Sequence, residues 1–201
     1  MLDNMEVVVI GTKHKPILTT EYLKNIEHRV FYTTDYDLPV DFKVHQSNLE
    51  YKNALSHMLG AYRCFRGHQD AMVGCNNDTI LVFEDDAVPN REDWHKVVNV
   101  ASKLLDKYEI VSLHCRHLNK YMFEKKIIDG ISFLCKKPNT KVWTIGSLCY
   151  LIKKQTVNKI CSYQFDGCPM DMFLNRYFSF CVVENSPFNH DRQHGSIVEK
   201  L

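Results

Sequence analysis

The chain has 201 residues, 45% of them hydrophobic and 24% charged, with charges that nearly cancel to a net +1. That length and apolar content allow one domain with a sizeable core, expected here to span 1–201. The near-zero charge balance supplies no field that would gather nucleic acid or an anionic membrane, so partners are expected at a local site.

Acids at Asp3 and Glu6 stand where a secretory signal would carry Lys or Arg, and the apolar run at 7–10 is too short for a signal core or a membrane span. The eight cysteines are scattered singly, without the close pairs of zinc sites. This reads as reduced, mostly buried thiols in a cytoplasmic setting, although the even number leaves a disulfide framework as an alternative.

Residues 7–10, Val-Val-Val-Ile, form a continuous β-branched run closed by Gly11, the pattern of a sheet strand covered on both faces. A short helix is expected at 20–27, and a second strand at 29–35 runs into the polar loop at 35–37. Ser47-Asn48-Leu49-Glu50 has capping-box spacing, and the apolar residues from Tyr51 to Phe65 recur at helical intervals behind it. The strongest strand signal, 79–83, empties into Glu84-Asp85-Asp86. Asn90 is placed to cap the next helix, whose apolar stripe runs from Trp94 to Leu105. A strand at 110–114 follows, and then a polar, basic segment at 117–139, expected as hairpins or loops lying over the sheet. A strand at 143–152 and a helix at 154–163 come next. Residues 185–201 are polar and turn-rich, and are expected as a loop or mobile tail. Alternating strands and helices call for an α/β layer around a mostly parallel sheet.

In such a sheet, ligands bind beyond the carboxyl ends of the strands, and Glu84-Asp85-Asp86 stands at such an end. Side chains alternate along a strand, so Glu84 and Asp86 are expected to share a face while Asp85 turns away to another role. Three adjacent carboxylates repel one another unless a cation or hydrogen bonds offset them. Hard oxygen donors favour Mn²⁺ or Mg²⁺, ions that complete their shells with substrate phosphates, which points to a diphosphate. The alternative is a solvated strand-to-helix turn.

Ile80-Leu81-Val82-Phe83-Glu84-Asp85-Asp86 resembles the metal-binding strand of GT-A fold glycosyltransferases, in particular glycosyltransferase family 25, which includes lipopolysaccharide and collagen galactosyltransferases. Asn53-Ala54-Leu55-Ser56-His57 is similar to that family's Ala-Leu-Ser-His helix. Gly146 to Ile152 is similar to its Gly-x-x-x-Tyr-Leu-Ile strand, and Pro169-Met170-Asp171 to its Pro-x-Asp turn. Lys52-Asn53 departs from the small pair usual before Ala-Leu-Ser-His, and 117–139 matches nothing in the family.

The resemblance implies transfer of a hexose from a nucleotide-sugar, such as a UDP-sugar, to an acceptor hydroxyl on a glycan or glycoprotein, with inversion. Asp86 would bind the metal directly, assisted by Glu84, while Thr12 and Asp35 would hold the base. Asp171 would be the general base, with a helix cap as its alternative role. Lys13, Lys15 and Lys52 are candidate phosphate partners, and His57 reads as a structural histidine in a core-facing helix. His194, with His190 as second choice, would reach the metal once a donor is bound. The same acids also suit a sugar nucleotidyltransferase, although Gly11-Thr12-Lys13-His14-Lys15 lacks a glycine-rich triphosphate loop. A non-catalytic nucleotide- or carbohydrate-binding module is the third possibility.

Overall fold

The computed structural model describes residues 2, 4–12, 17–38, 51–115, 120–138, 140 and 146–190, without the side chains of 51–56. Strands β1 (Met5–Thr12), β2 (Arg29–Thr33), β3 (Thr79–Glu84), β4 (Ala87–Pro89) and β5 (Ile110–Ser112) alternate with helices α1 (Thr19–Tyr22), α2 (Tyr51–Val73) and α3 (Trp94–Ser102). The hairpin β6 (Phe123–Ile128) and β7 (Ile131–Lys136) follows. The chain then runs through β8 (Cys149–Lys153), α4 (Lys154–Ser162), α5 (Met170–Tyr177), β9 (Phe180–Val183) and β10 (Phe188–His190). Among the described residues, eight strands form one sheet in the order β2-β1-β3-β8-β5-β9-β7-β6, and β4 with β10 forms a separate ribbon.

The fold is mixed α/β around this large sheet, which is mostly parallel in strand direction, as expected. All of its strands run one way except β8, which enters antiparallel between β3 and β5, and β7, antiparallel beside β9. Those two reversed strands were not expected. They confine direct parallel pairing to β1 with β2, β1 with β3, and β5 with β9.

Period-two alternation divides the central strands between two apolar layers. Val7, Val9, Leu81 and Phe83 face α3 through Trp94, Val97, Val98 and Ala101. Val8, Ile10, Ile80 and Val82 face α2, α4 and α5 through Phe65, Met72, Ile160 and Phe173. Burial on both faces is why β1 and β3 are continuous apolar runs, each fully buried aliphatic side chain contributing about 1.5–3 kcal/mol.

Several sequence expectations move. The helix at 20–27 shortens to α1, after which the chain continues in turns. Asn90 caps nothing: α3 starts four residues later, and the Asn90 amide instead donates to Ser186 O (2.9 Å) and Asn189 Oδ1 (3.1 Å). Segment 117–139 does not lie over the sheet where it is described, since β6 and β7 extend the sheet edge through a turn with Asp129 and Gly130 both at positive φ. Asp-Gly is the usual dipeptide for that tight turn, so this signal stood in the sequence. Of the strand expected at 143–152, residues 143–145 lie outside the described residues, and β8 begins at Cys149. In the expected tail, residues 188–190 pair with β4, and Phe188 is buried against Phe83 and Trp94. Ser47 to Glu50, Lys13, Lys15 and His194 lie outside the described residues, as does the side chain of Lys52.

All eight cysteines are free. Among the described residues, no helix is long and apolar enough to cross a membrane.

Leu81 is wholly buried, whereas Tyr32 is 46% exposed. Leu81→Ala is expected to cost about 2–5 kcal/mol in urea-induced unfolding, and Tyr32→Ala about 0.5 kcal/mol or less. Similar losses for the two would contradict the doubly covered sheet.

Candidate active site

The end of β3 fans its three acids in three directions. Glu84 is fixed by its backbone, whose N–H donates to Leu148 O (2.9 Å). Its carboxylate accepts a short hydrogen bond from Ser147 Oγ and faces His68 Nε2 at 3.5 Å. Asp85 turns back toward β1, where Oδ2 accepts from the Thr12 N–H (3.3 Å). Asp86 turns toward the ribbon, where Oδ2 lies 2.9 Å from His190 Nε2. The β4–β10 register that pairs His190 with Ala87 delivers the imidazole there.

Backbone and hydroxyl groups hold the turn itself. Thr19 Oγ1 donates to Glu84 O (2.7 Å) and lies 3.1 Å from Ala87 O, and its N–H donates to Asp85 O (3.2 Å). The C-terminal segment is fastened by Ser186, whose Oγ lies 2.7 Å from Leu113 O and 2.6 Å from Phe188 O, and by His114 Nδ1, 3.1 Å from Phe188 O.

Asp171 joins the group from α5. Its Oδ2 accepts from the Gly146 N–H (3.0 Å) and its Oδ1 from the Met172 N–H (2.8 Å). Consecutive residues Gly146 and Ser147 therefore hold Asp171 and Glu84, bringing the two carboxyls to neighbouring positions. Gly146 has φ +138°, and a Cβ there would meet His114 Cδ2 at 3.2 Å, so no other residue fits without strain. Asp171 lies within the first turn of α5, one residue past Met170, the neighbour of Pro169 at the N-cap position, and by accepting from the Met172 N–H it also serves the start of that helix.

The two carboxyls are pushed apart in acidity. Burial raises the Asp171 pKa, the N–H groups of Met172 and Gly146 pull it down, the charge of Glu84 raises it again, and the net shift is upward. Burial also opposes ionisation of Glu84, but hydrogen bonds from His68 and Ser147 and the charges of His68 and His190 outweigh it, so the net shift is downward. Burial thus favours the protonated form of Asp171, whereas the partners of Glu84 favour its ionised form.

Asp86 Oδ1 and His190 Nδ1 are buried without hydrogen-bond partners, as is Thr12 Oγ1. Unpartnered buried acceptors are costly, and carboxylate plus imidazole is an acceptable donor set for Mn²⁺. Asp86 and His190 thus offer a carboxylate and an imidazole that would suit a divalent cation.

Of the sequence-predicted site residues, Thr12, Glu84, Asp85, Asp86 and Asp171 converge at this end of the sheet. Asp35 does something else: it is exposed and 3.7 Å from Arg63. His57 is exposed, which corrects its reading as a core histidine. His190, the second choice behind His194, is the histidine in contact with Asp86. Sequence reasoning missed Thr19, His68, Gly146 and Ser147. A polar residue three positions beyond Phe65 on an apolar helix face was the available sign for His68.

No family model and no curated protein matches the chain. Among solved structures it is similar to A197 from STIV, at 15% identity over 93% of this chain and 85% of that one, with a TM-score of 0.44. It is also similar to mannose-1-phosphate geranyltransferase from Thermus thermophilus, at 11% identity over 94% and 76% with a TM-score of 0.45. HddC from Yersinia pseudotuberculosis complexed with GMP-PN matches at 16% identity over 92% of each chain, with a TM-score of 0.40. At these scores the matches carry no assignment.

Because the Glu84 pKa is lowered below 4.5 on folding, its ionisation contributes stability at neutral pH that is lost as pH falls through the folded value. Glu84→Gln should therefore unfold at lower urea than the parent at neutral pH, and the two midpoints should approach each other in acid. A constant gap across the pH range would show that the charge is not responsible.

Proposed function

We propose that this chain is a metal-dependent transferase acting on a nucleotide-sugar, and that its chemistry is hexosyl transfer to an acceptor hydroxyl. The observation that carries this reading is the pairing of Asp86 and His190, each with a buried unpartnered atom, at the same end of the sheet as Asp171, a buried carboxyl with raised proton affinity. The family-25 resemblance of 80–86, 146–152 and 169–171 is consistent with it, and the fold is proposed as GT-A type on the same grounds.

Asp86, with His190 and Glu84, would hold Mn²⁺ or Mg²⁺. When bound, the cation would offset the charge of the departing nucleoside diphosphate. Asp171 takes the proton of the acceptor hydroxyl, a role suited to a buried carboxylate whose affinity for protons is raised. Glu84 stays ionised throughout, and Gly146 and Ser147 fix the spacing of the two carboxyls. Asp85 serves indirectly by fastening the acidic turn to β1 at Thr12.

Nucleotidyl transfer to a sugar phosphate is the second reading, since it would use the same cation and acids. Two of the matched structures are named for mannose-1-phosphate or complexed with GMP-PN, at a similarity too low to weigh. A phosphate nucleophile is already ionised at neutral pH and needs no base, whereas a hydroxyl does, and this favours hexosyl transfer for a site containing Asp171.

Incubation with nucleotide-sugars and Mn²⁺ should release nucleoside diphosphate, slowly without acceptor and faster with one. Pyrophosphate release from a nucleoside triphosphate and a sugar 1-phosphate would instead establish the second reading. Asp86→Asn should abolish metal-dependent turnover, and full activity in excess chelator would remove the cation from the mechanism.

Asp171→Asn should lower turnover by roughly 10²- to 10⁴-fold while sparing Mn²⁺ affinity. In the parent, kcat/KM should fall toward acid through a pKa above the ordinary aspartate value of 3.8, because the base must be ionised. An acid limb unchanged in Asp171→Asn would assign the base elsewhere.

A further inference from the structure

Behind the acidic turn, on the α2 side of Glu84, lies a second donor set of different chemistry. Cys64 Sγ, an imidazole nitrogen of His68 and a carboxylate oxygen of Glu84 lie within 4.8 Å of one another. Cys64 and His68 are four residues apart on α2 and so share a face, while Glu84 arrives from the end of β3.

The imidazole is oriented from behind. His68 Nδ1 lies 2.8 Å from the Tyr150 hydroxyl, which also lies 3.7 Å from Met72 Sδ. In the metal-free chain Nε2 faces the Glu84 carboxylate at 3.5 Å and supports its ionisation; when a cation binds, any proton on Nε2 goes to solvent and its lone pair is presented, while Nδ1 keeps its hydrogen against the Tyr150 hydroxyl. Two acceptors facing each other leave room for a cation between them. Metal-bound histidines are commonly held in this way, through the ring nitrogen that does not bind.

We propose that Cys64, His68 and Glu84 form a binding site for a thiophilic divalent cation of the Zn²⁺ class, and that its occupancy withdraws Glu84 from the neighbouring Mn²⁺ site. Sulfur, nitrogen and oxygen donors together select Zn²⁺ over Mg²⁺ or Mn²⁺. Three protein ligands leave a fourth position for water through the partly exposed side of Glu84. Binding releases the Cys64 proton to solvent, since a thiolate is the ligand. Burial and the nearby charges of Glu84 and Asp171 raise the Cys64 pKa, keeping the thiol protonated until a metal displaces the proton. The competition rests on the reading of Glu84 and Asp86 given above, whereas the site itself does not.

The test uses the full chain, stripped of metal and kept reduced by a phosphine, with Co²⁺ as the spectroscopic probe. One equivalent is expected to produce a thiolate-to-cobalt charge-transfer band that Zn²⁺ bleaches. The band should be lost in Cys64→Ser and retained in Cys135→Ser. No band in the parent, or a full band in Cys64→Ser, overturns the site. In the unaltered chain, Zn²⁺ should also protect Cys64 from alkylation, followed by peptide mass, and an unchanged rate overturns the site without recourse to a variant. Mn²⁺ binding, read by electron paramagnetic resonance, should weaken with Zn²⁺ in the parent but not in Cys64→Ser. A cobalt band with unaltered Mn²⁺ binding keeps the site and overturns the competition. A cobalt band in a chain that binds no Mn²⁺ at all keeps the site while removing the transferase reading.

Discussion

Three consecutive carboxylates at the mouth of a buried strand have to be separated and individually compensated, and much of the molecule is arranged to do so. Each acid meets a different element: Glu84 the helix α2 and the approach to β8, Asp85 the end of β1, Asp86 the ribbon strand β10. Thr19 then ties the turn together through its hydroxyl and its backbone N–H. The repulsion that would unfold a bare cluster becomes a set of directed contacts. Asp86 Oδ1 and His190 Nδ1 alone are left buried without a hydrogen-bond partner among the atoms of these acids and the imidazoles they meet.

The reversed strand β8 explains why the two catalytic candidates come from distant sequence. Antiparallel β8 sits between β3 and β5, so the residues entering it, Gly146 and Ser147, pass beside the end of β3. Gripping Asp171 with one backbone N–H and Glu84 with the adjacent hydroxyl sets two carboxyls side by side; burial and the charge of Glu84 raise the proton affinity of Asp171, whereas His68, Ser147 and His190 lower that of Glu84.

The legible part of the fold was what periodicity encodes. Strands β1 and β3 stand out because both faces are covered, and helix α2 stands out through its apolar spacing. The alternation of strands and helices also conveyed the prevailing parallel direction of the sheet. What periodicity cannot encode is the direction of an individual strand, which is why the reversal of β8 and β7 was not foreseen. A hairpin within 117–139 was among the expectations and Asp129-Gly130 marks its turn, but weak alternation in a basic segment did not reveal that it joins the sheet edge rather than lying over the sheet. At the site, acids after a buried strand were readable as a cluster and His190 as a second-choice partner for them, but His68 was not. His68 and His190 reach the turn from helix α2 and from the ribbon strand β10, and only tertiary contact selects them. The polarity of 185–190 suggested a loose tail, whereas burial of Phe188 against Phe83 and Trp94 fixes it.

The ribbon that brings His190 to Asp86 also carries the contact of Asn90 with Ser186, across 96 residues of chain. Bringing two such distant segments together costs loop-closure entropy, only slightly more than the pairing of β1 with β3 or β5 with β9 because that cost grows slowly with separation. Until the ribbon forms, Asp86 lacks its imidazole and Phe83 lacks the cover of Phe188. The acidic turn is thus a place where packing and chemistry coincide, since one strand pairing both covers Phe83 and gives Asp86 its partner.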